Sequence, residues 1–216
     1  MDKIIRVNMD DLNIKVENVP EEYKALGGRA LTSQVIFDEV EPTCEPLGKY
    51  NKLVIAPGLL TGTTAPSSGR LSFGGKSPLT GGIKESNSGG TAAQKLARLG
   101  VKALIVEGGG PKDKFYLLKI SKEGNELLPA DDLVGLTTYK VCNILQERYG
   151  KKAAVATIGP SGEMKMAMAG VGVTDMEGNP VRYAGRGGLG AVMGSKGLKA
   201  IIIEDTGAER LKPQNP

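Results

Sequence analysis

The residues best suited to chemistry lie in one stretch, Arg182-Tyr-Ala-Gly-Arg-Gly-Gly-Leu-Gly-Ala-Val-Met-Gly-Ser-Lys196. Two arginines flank a run of glycines that leads into apolar residues and a lysine. Glycine admits positive φ and lets a ligand approach the main chain, so several N–H groups can converge on one oxyanion. Arg182 and Arg186 add full positive charge and forked donors suited to phosphate oxygens. If Leu189–Met193 opens a short helix, its free N–H groups strengthen the attraction. The chemistry implied is a phosphate cradle; the alternative is a tight surface turn with two solvated arginines.

A second stretch of the same kind precedes it. Ser67-Ser-Gly-Arg70 leads through Lys76-Ser-Pro-Leu-Thr-Gly-Gly82 to Glu85-Ser-Asn-Ser-Gly-Gly90, and Thr91–Leu99 reads as a helix with Ala92, Leu96 and Leu99 on one face. Each Gly-rich loop is followed by a short helix and then by a nearly identical strand. These are Gly100-Val-Lys-Ala-Leu-Ile-Val-Glu107 and Gly197-Leu-Lys-Ala-Ile-Ile-Ile-Glu204, offset by 97 residues. Eight aligned positions mark an internal repeat. The halves are expected to span about 1–110 and 111–205, with 206–216 as a polar tail or domain boundary.

The elements that must position these loops can be read in order. Ile4–Met9 and Leu12–Glu17 alternate like a hairpin around Asp10-Asp11. A helix starts at Pro20 and ends near Val40, with Gly27-Gly28-Arg29 inside it. Two glycines at about 1 kcal/mol each predict a local break there. Arg29 can reach an anion or sit solvated or in an ion pair. Strands are expected at Lys52–Ala56, Arg70–Gly75 and Lys102–Glu107, with Pro57–Gly62 as an exit turn. The second half repeats the order: hairpin Phe115–Ser121 and Glu126–Leu128, helix Thr137–Tyr149, strand Lys152–Ile158, exit turn Gly159–Gly162, strand Lys165–Val173, the glycine loop, a short helix, and strand Leu198–Ile203. The order implies an α+β fold, internally duplicated, with two largely antiparallel sheets and a few helices. Packed about an internal two-fold axis, the two Gly-rich loops would face one another and offer two anion cradles to one ligand. Lys76 and Ser77 are candidates to back that site, or parts of an ordinary turn.

Composition narrows the classes. The chain has 216 residues, a net charge of +4 without basic runs, and no apolar stretch as long as a membrane span, so neither nucleic acid nor membrane is an expected partner. Cys44 and Cys142 stand apart without CxxC spacing and read as reduced thiols of a cytoplasmic protein. The absence of histidine removes His-based triads and His-ligated zinc. Gly185-Arg-Gly-Gly-Leu-Gly190 matches the dinucleotide pattern GxGxxG, but that pattern needs a strand immediately before it. Here Asp175–Pro180 is turn chemistry. No GxxxxGK[ST] occurs.

Six spaced motifs carry a resemblance over nearly the whole chain: Pro57-Gly-Leu-Leu-Thr-Gly62, Ser68-Gly-Arg70, Lys76–Gly82, Ser86-Asn-Ser-Gly-Gly90, Ile158-Gly-Pro-Ser-Gly-Glu163 and Ala184–Lys196. Together they resemble the N-terminal domain of the aldehyde ferredoxin oxidoreductase family. The resemblance implies a base of two related halves supporting tungsten, or molybdenum, between two pterins whose phosphates are bridged by Mg²⁺. It places Arg70, Asn87 and Gly89 from the first half, and Arg182, Tyr183, Gly185 and Arg186 from the second, on the pterin cofactor. It also implies Mg²⁺ ligation by the main-chain carbonyls of Asn87 and Tyr183. The family commonly has alanine at the position of Tyr183, so the phenol ring would crowd the cofactor.

The family oxidises aldehydes to carboxylic acids and passes electrons through a [4Fe-4S] cluster to ferredoxin. Its cluster-binding cysteines and acid–base residues lie in later domains. The resemblance therefore implies an oxidoreductase completed by remaining domains or subunits, with ferredoxin as acceptor and a homodimer as an open assembly. No catalytic residue is expected within this chain. The alternatives are a non-catalytic pterin carrier or assembly subunit and, on the GxGxxG match, an NAD(P)-binding domain.

Overall fold

The computed structural model describes residues 1–209; the remainder of the expected polar tail, 210–216, lies outside the described residues. Two six-stranded sheets carry the fold. The first is built from β1 (Lys3–Asn8), β2 (Asn13–Asn18), β3 (Leu53–Pro57), β4 (Leu71–Lys76), β5 (Ile83–Ser88) and β6 (Val101–Glu107), in the order β2-β1-β6-β3-β4-β5. The second is built from β7 (Tyr116–Ile120), β8 (Asn125–Pro129), β9 (Ala154–Thr157), β10 (Val171–Val173), β11 (Arg182–Ala184) and β12 (Leu198–Ile203), in the order β11-β10-β9-β12-β7-β8. Read from the other edge, the second order repeats the first. In each sheet one pair is parallel, β1 with β6 and β7 with β12, and the rest are antiparallel.

The repeat extends to an irregularity. Along the parallel pairs the register slips once, past Lys102 in β6 and past Lys199 in β12. A bulge re-aims the residue it releases. Each of these lysines is buried and donates to a main-chain carbonyl: Lys102 to Lys24, at the end of the helical turn Glu21–Lys24, at 2.8 Å, and Lys199 to Leu136, just before Thr138–Tyr149, at 3.1 Å. Burial lowers the pKa of both, with Glu163 opposing the effect at Lys199.

Five layers result. On the outer face of the first sheet lies α2 (Gly28–Glu39), whose Leu31, Val35 and Ile36 bury against Val54, Ala56 and Ile105. On the outer face of the second lies α4 (Thr138–Tyr149), with Val141, Cys142 and Leu145 against Val155 and Ile202. Between the sheets sit α3 (Ala92–Arg98) and α6 (Leu189–Ser195), each packed on strands of both halves. Every residue of α6 is buried. The largest core cluster joins Ile5, Leu53 and Phe73 of one half to Ile120, Val173 and Ile201 of the other.

The break expected at Gly27-Gly28 is present: the helix from Pro20 is two, α1 (Glu21–Lys24) and α2. Three expectations change. The expected exit turn at Gly159–Gly162 begins one further helical turn, α5 (Pro160–Glu163), with proline at its start where a missing N–H costs nothing. Lys165–Val173 is not one strand: Lys165 has φ 56°, and only Val171–Val173 pairs. Most consequential, β5 and β11 are strands where Gly-rich loop is expected. Both are terminal strands of their sheets.

Candidate functional site

Each Gly-rich segment is held by the opposite half of the molecule. The Thr91 amide donates to Thr174 O at 3.0 Å, and Gly90, with φ 105°, lies where a Cβ would fall 2.4 Å from that carbonyl. In return the Arg186 amide donates to Ser86 Oγ at 3.0 Å, and Ser77 Oγ donates to Gly187 O at 2.8 Å. Gly187 and Gly188 follow with φ 76° and 72°, two successive left-handed residues that turn the chain into α6. A Cβ at Gly190 would fall 2.4 Å from Gly170 O, so α6 lies directly on the backbone of the preceding loop.

This exchange sets β5 beside β11 and opens a cleft of about 690 Å³ between them, lined by residues of both halves. Arg70 and Asn87 come from the first half, and Tyr183, Gly185 and Arg186 from the second. Gly89 stands at the join, its Cβ position 3.8 Å from Arg70 Nη1 and 3.9 Å from Arg182 Cδ. The two glycine-and-arginine segments thus share one opening. Arg182 reaches it beside Gly89 rather than as a wall of the cleft.

Arg70 is oriented from within the site. Its Nε donates to Asn87 Oδ1 at 2.9 Å and Nη2 donates to the same oxygen, leaving Nη1 unspent. Tyr183 stands opposite Gly172 in the β10–β11 ladder, its ring 3.3 Å from where a Cβ on that glycine would project, and its hydroxyl meets Thr138 Oγ1 at 3.1 Å. The phenol expected to crowd a ligand is folded back along β10 and tied to α4. β5 and β11 are edges, so on each a row of backbone N–H and carbonyl groups has no ladder partner.

Lys76 does not serve the cleft. It is buried, and its ammonium donates to Pro42 O and to Cys44 O at 2.6 Å, anchoring the connection before β3. Ser77 holds the second loop through Gly187 rather than facing the opening. Three other charged residues do line it: Arg29, Lys84 and Glu85. Glycine spacing gives no sign of Lys84 and Glu85, because Ile83–Ser88 reads as loop. In β5 the alternation of Glu85 and Asn87 puts both on one face, a signal that a strand assignment exposes. Arg29, which the sequence leaves as either anion-reaching or paired, lines the cleft and also pairs with Glu85 at 3.2 Å.

The dinucleotide reading falls on topology. A strand, β11, does immediately precede Gly185, against expectation. Three antiparallel steps separate it from β12, so the strand before the glycines and the strand after α6 run in opposite directions. A dinucleotide site requires them parallel.

The donor set fits a ligand with two anionic ends. Among the lining residues Arg29, Arg70, Lys84 and Arg186 face one acid, Glu85. Glycines stand where side chains would fill the join, and edge-strand carbonyls provide the hard oxygen ligands that Mg²⁺ takes alongside phosphate. Among the described residues no cluster of three His, Cys, Asp or Glu side chains offers a metal site.

Comparison with known proteins shows the family and the fold. A family model described as the aldehyde ferredoxin oxidoreductase N-terminal domain matches residues 4–205. The chain is 42% identical over 205 residues to the tungsten-containing aldehyde ferredoxin oxidoreductase of Pyrococcus furiosus, covering 94% of this chain and 33% of that protein. It is 30% identical over 225 residues to the aliphatic sulfonate oxidoreductase, WOR-like subunit, of the same organism, covering 95% and 34%. Among solved structures, a chain of the active site complex BamBC of benzoyl coenzyme A reductase with 1,5-dienoyl-CoA is similar. It gives a TM-score of 0.87 at 30% identity over 94% of this chain and 30% of that one. The chain spans about a third of the length of the curated relatives it matches.

Proposed function

This chain belongs to the aldehyde ferredoxin oxidoreductase family, and from that premise we propose that its cleft carries the phosphate-bearing ends of a bis-pterin tungsten, or molybdenum, cofactor. The observation that carries the reading is the single opening shared by the Arg70–Gly89 and Arg182–Arg186 segments. Arg70, Asn87 and Gly89 would hold one end; Arg182, Tyr183, Gly185 and Arg186 would hold the other. The main-chain carbonyls of Asn87 and Tyr183 would be the groups of this chain that hold Mg²⁺.

The bound group supplies the redox chemistry by which an aldehyde is oxidised to a carboxylic acid. The residues of this chain neutralise phosphate charge, fix the ligand's orientation and keep the two halves closed on it. None of them is assigned a proton-transfer role. Electron passage through a [4Fe-4S] cluster to ferredoxin is assigned to domains or subunits other than these residues. The relatives' names differ in substrate, aldehyde, aliphatic sulfonate and benzoyl-CoA, while the domain persists. We therefore assign substrate choice to other parts of such proteins, and the 42% identical relatives support aldehyde as the substrate class.

The test is metal and pterin content of the full-length protein. Arg182→Ala and Arg186→Ala are expected to lower tungsten or molybdenum and pterin together, with retention falling about tenfold for each charge-assisted hydrogen bond removed. Melting of the cofactor-free form should stay unchanged, because both side chains lie on the solvent side of the loop. Unaltered metal content in both variants would refute the assignment.

A further inference from the structure

Resting on that reading, we propose that Arg29 is an additional phosphate-binding residue of the cleft, held in place by Glu85. The observations concern placement. Gly74 of β4 leaves room for Thr32 of α2, whose Cβ lies 2.5 Å from where a Cβ on Gly74 would project. This close approach sets the first turn of α2, and with it Arg29, over β4 and β5. Arg29 is 74% exposed at its side chain, lines the cleft, and donates through Nε alone, to Glu85 Oε2 at 3.2 Å. Both terminal nitrogens are without a partner among the described residues.

Glu85 is the odd member of the site. It is an acid in an opening that is otherwise cationic, its side chain is 5% exposed, and its second oxygen accepts from Ser72 Oγ at 2.7 Å. A buried carboxylate persists where it is hydrogen-bonded and paired. By simple charge it opposes an anionic ligand. Its geometry gives it a different use. Gripping Nε from one side fixes the guanidinium plane, so that the two Nη groups remain as a fork directed away from Glu85. A related arrangement lies on the same face of β5, where Asn87 Oδ1 accepts from Nε and Nη2 of Arg70 and leaves Nη1 unspent. Arg29 thus makes a third guanidinium beside Arg70 and Arg186. The ligand it fits is a phosphate or pyrophosphate group, planar bidentate recognition of oxyanions being what this fork does best. Glu85 is a positioning residue and not a ligand.

The sign of one substitution separates positioning from plain electrostatics. The full chain is produced without tungstate or molybdate and titrated with inorganic pyrophosphate by calorimetry. Arg29→Ala is expected to weaken binding about tenfold. Glu85→Ala removes an acid from an anion site and is nevertheless expected to weaken binding several-fold, because Arg29 is released. Glu85→Gln keeps an acceptor for Nε and should match or exceed the parent. Melting temperatures confirm that each variant folds; Arg29→Ala, on an exposed side chain, keeps the test available if Glu85→Ala does not. In cofactor-loaded protein Arg29→Ala and Glu85→Ala should lose metal faster on gel filtration in high salt, and Glu85→Gln should not.

Unchanged binding in Arg29→Ala, or tighter binding in Glu85→Ala, overturns the inference. If Arg70→Ala and Arg186→Ala lose pyrophosphate while Arg29→Ala keeps it, the proposed function stands and this inference falls. If the parent protein fails to bind pyrophosphate at all, both fall.

Discussion

Lys196 offers a pH-dependent stability that can be worked out from its surroundings. It closes α6 and its ammonium is fully buried, donating to Gly48 O at 3.0 Å and Gly108 O at 2.8 Å, with Lys49 O at 3.5 Å. These carbonyls belong to the first half of the chain, so the lysine ties the second glycine loop to the first sheet. Burial lowers its pKa from 10.5 to about 8, with Asp10, Cys44 and Glu107 pulling the other way. Below pH 8 folded and unfolded chains both hold the proton, and the burial penalty is present in full. From pH 8 to 10.5 the unfolded chain binds the proton that the native state has released, so stability rises with pH and then levels. The gap between the two values corresponds to about 3 kcal/mol at most. The neutral amine still has two N–H donors for the carbonyls.

Replacing Lys196 by methionine orphans those carbonyls at a cost of about 1–3 kcal/mol each, independent of pH. It also removes the penalty that wild type bears below pH 8. The variant is therefore expected to lie close to wild type at pH 7 and to fall behind by up to about 3 kcal/mol more at pH 10.5. Urea unfolding of both proteins at half-unit steps measures this. Lys102 and Lys199, lowered by burial in the same direction, contribute equally to both proteins and cancel in the difference. A difference that stays level between pH 8 and 10.5 would refute the reasoning.

Two further outcomes follow from packing and charge. Gly190→Ala would drive a Cβ into Gly170 O at 2.4 Å and Ala169 C at 2.7 Å, whereas Gly82→Ala meets nothing within 4 Å. The first is expected to cost about 1–3 kcal/mol in thermal melts and to lower cofactor content; the second should stay within about 0.5 kcal/mol. Asp205 follows β12 and clasps α3 of the other half through Lys95 and through Arg98 at 2.9 Å. Burial raises its pKa, but those two cations outweigh it and hold the carboxyl below 3.8. Asp205→Asn is expected to cost about 1–2 kcal/mol at pH 7, a deficit that narrows in urea titrations as the pH falls below 3.8. An unchanged deficit in acid would show that the carboxylate charge is not what holds the clasp.

How far the sequence can be read depends on which faces a segment buries. β6 and β12 are legible because both carry apolar runs, broken only by Lys102 and Lys199, between a glycine and a glutamate, and both are buried over nearly their whole length. The duplication follows from them, and the shared slip at Lys102 and Lys199 shows how deep it goes. β5 and β11 are not legible. Lys84-Glu-Ser-Asn-Ser88 and Arg182-Tyr-Ala184 lack an apolar alternation, because an edge strand facing a cleft has little apolar surface to bury. Met164-Lys-Met-Ala-Met168 errs the other way: its alternating methionines imitate a strand, yet all three lie exposed and the segment pairs with nothing. Lys76 reads as backing an anion site or as a plain turn lysine; only the tertiary fold brings Pro42 and Cys44 carbonyls to it. Of the candidate residues, Arg186 emerges from the glycine loop and Arg70 and Asn87 from the family resemblance, whereas Glu85 becomes visible only once β5 is a strand.

The location of the cleft follows from the same fact that hides its walls. A sheet edge with unpaired N–H and carbonyl groups invites another strand, and proteins blunt such edges with charge, bulges or cover. Here duplication produces two such edges, β5 and β11, and the hydrogen bonds exchanged through Ser86, Gly187, Thr91 and Thr174 bring them together without pairing them. β11 is held to three residues and both edges are followed by glycine, so neither offers a long ladder to a partner. Arginine and lysine then line the space between, which repels a further basic segment and attracts an anion. An edge left unpaired for a ligand is necessarily polar, glycine-rich and poor in strand propensity. The features that make the site able to bind are thus the ones that weaken its signature as regular structure.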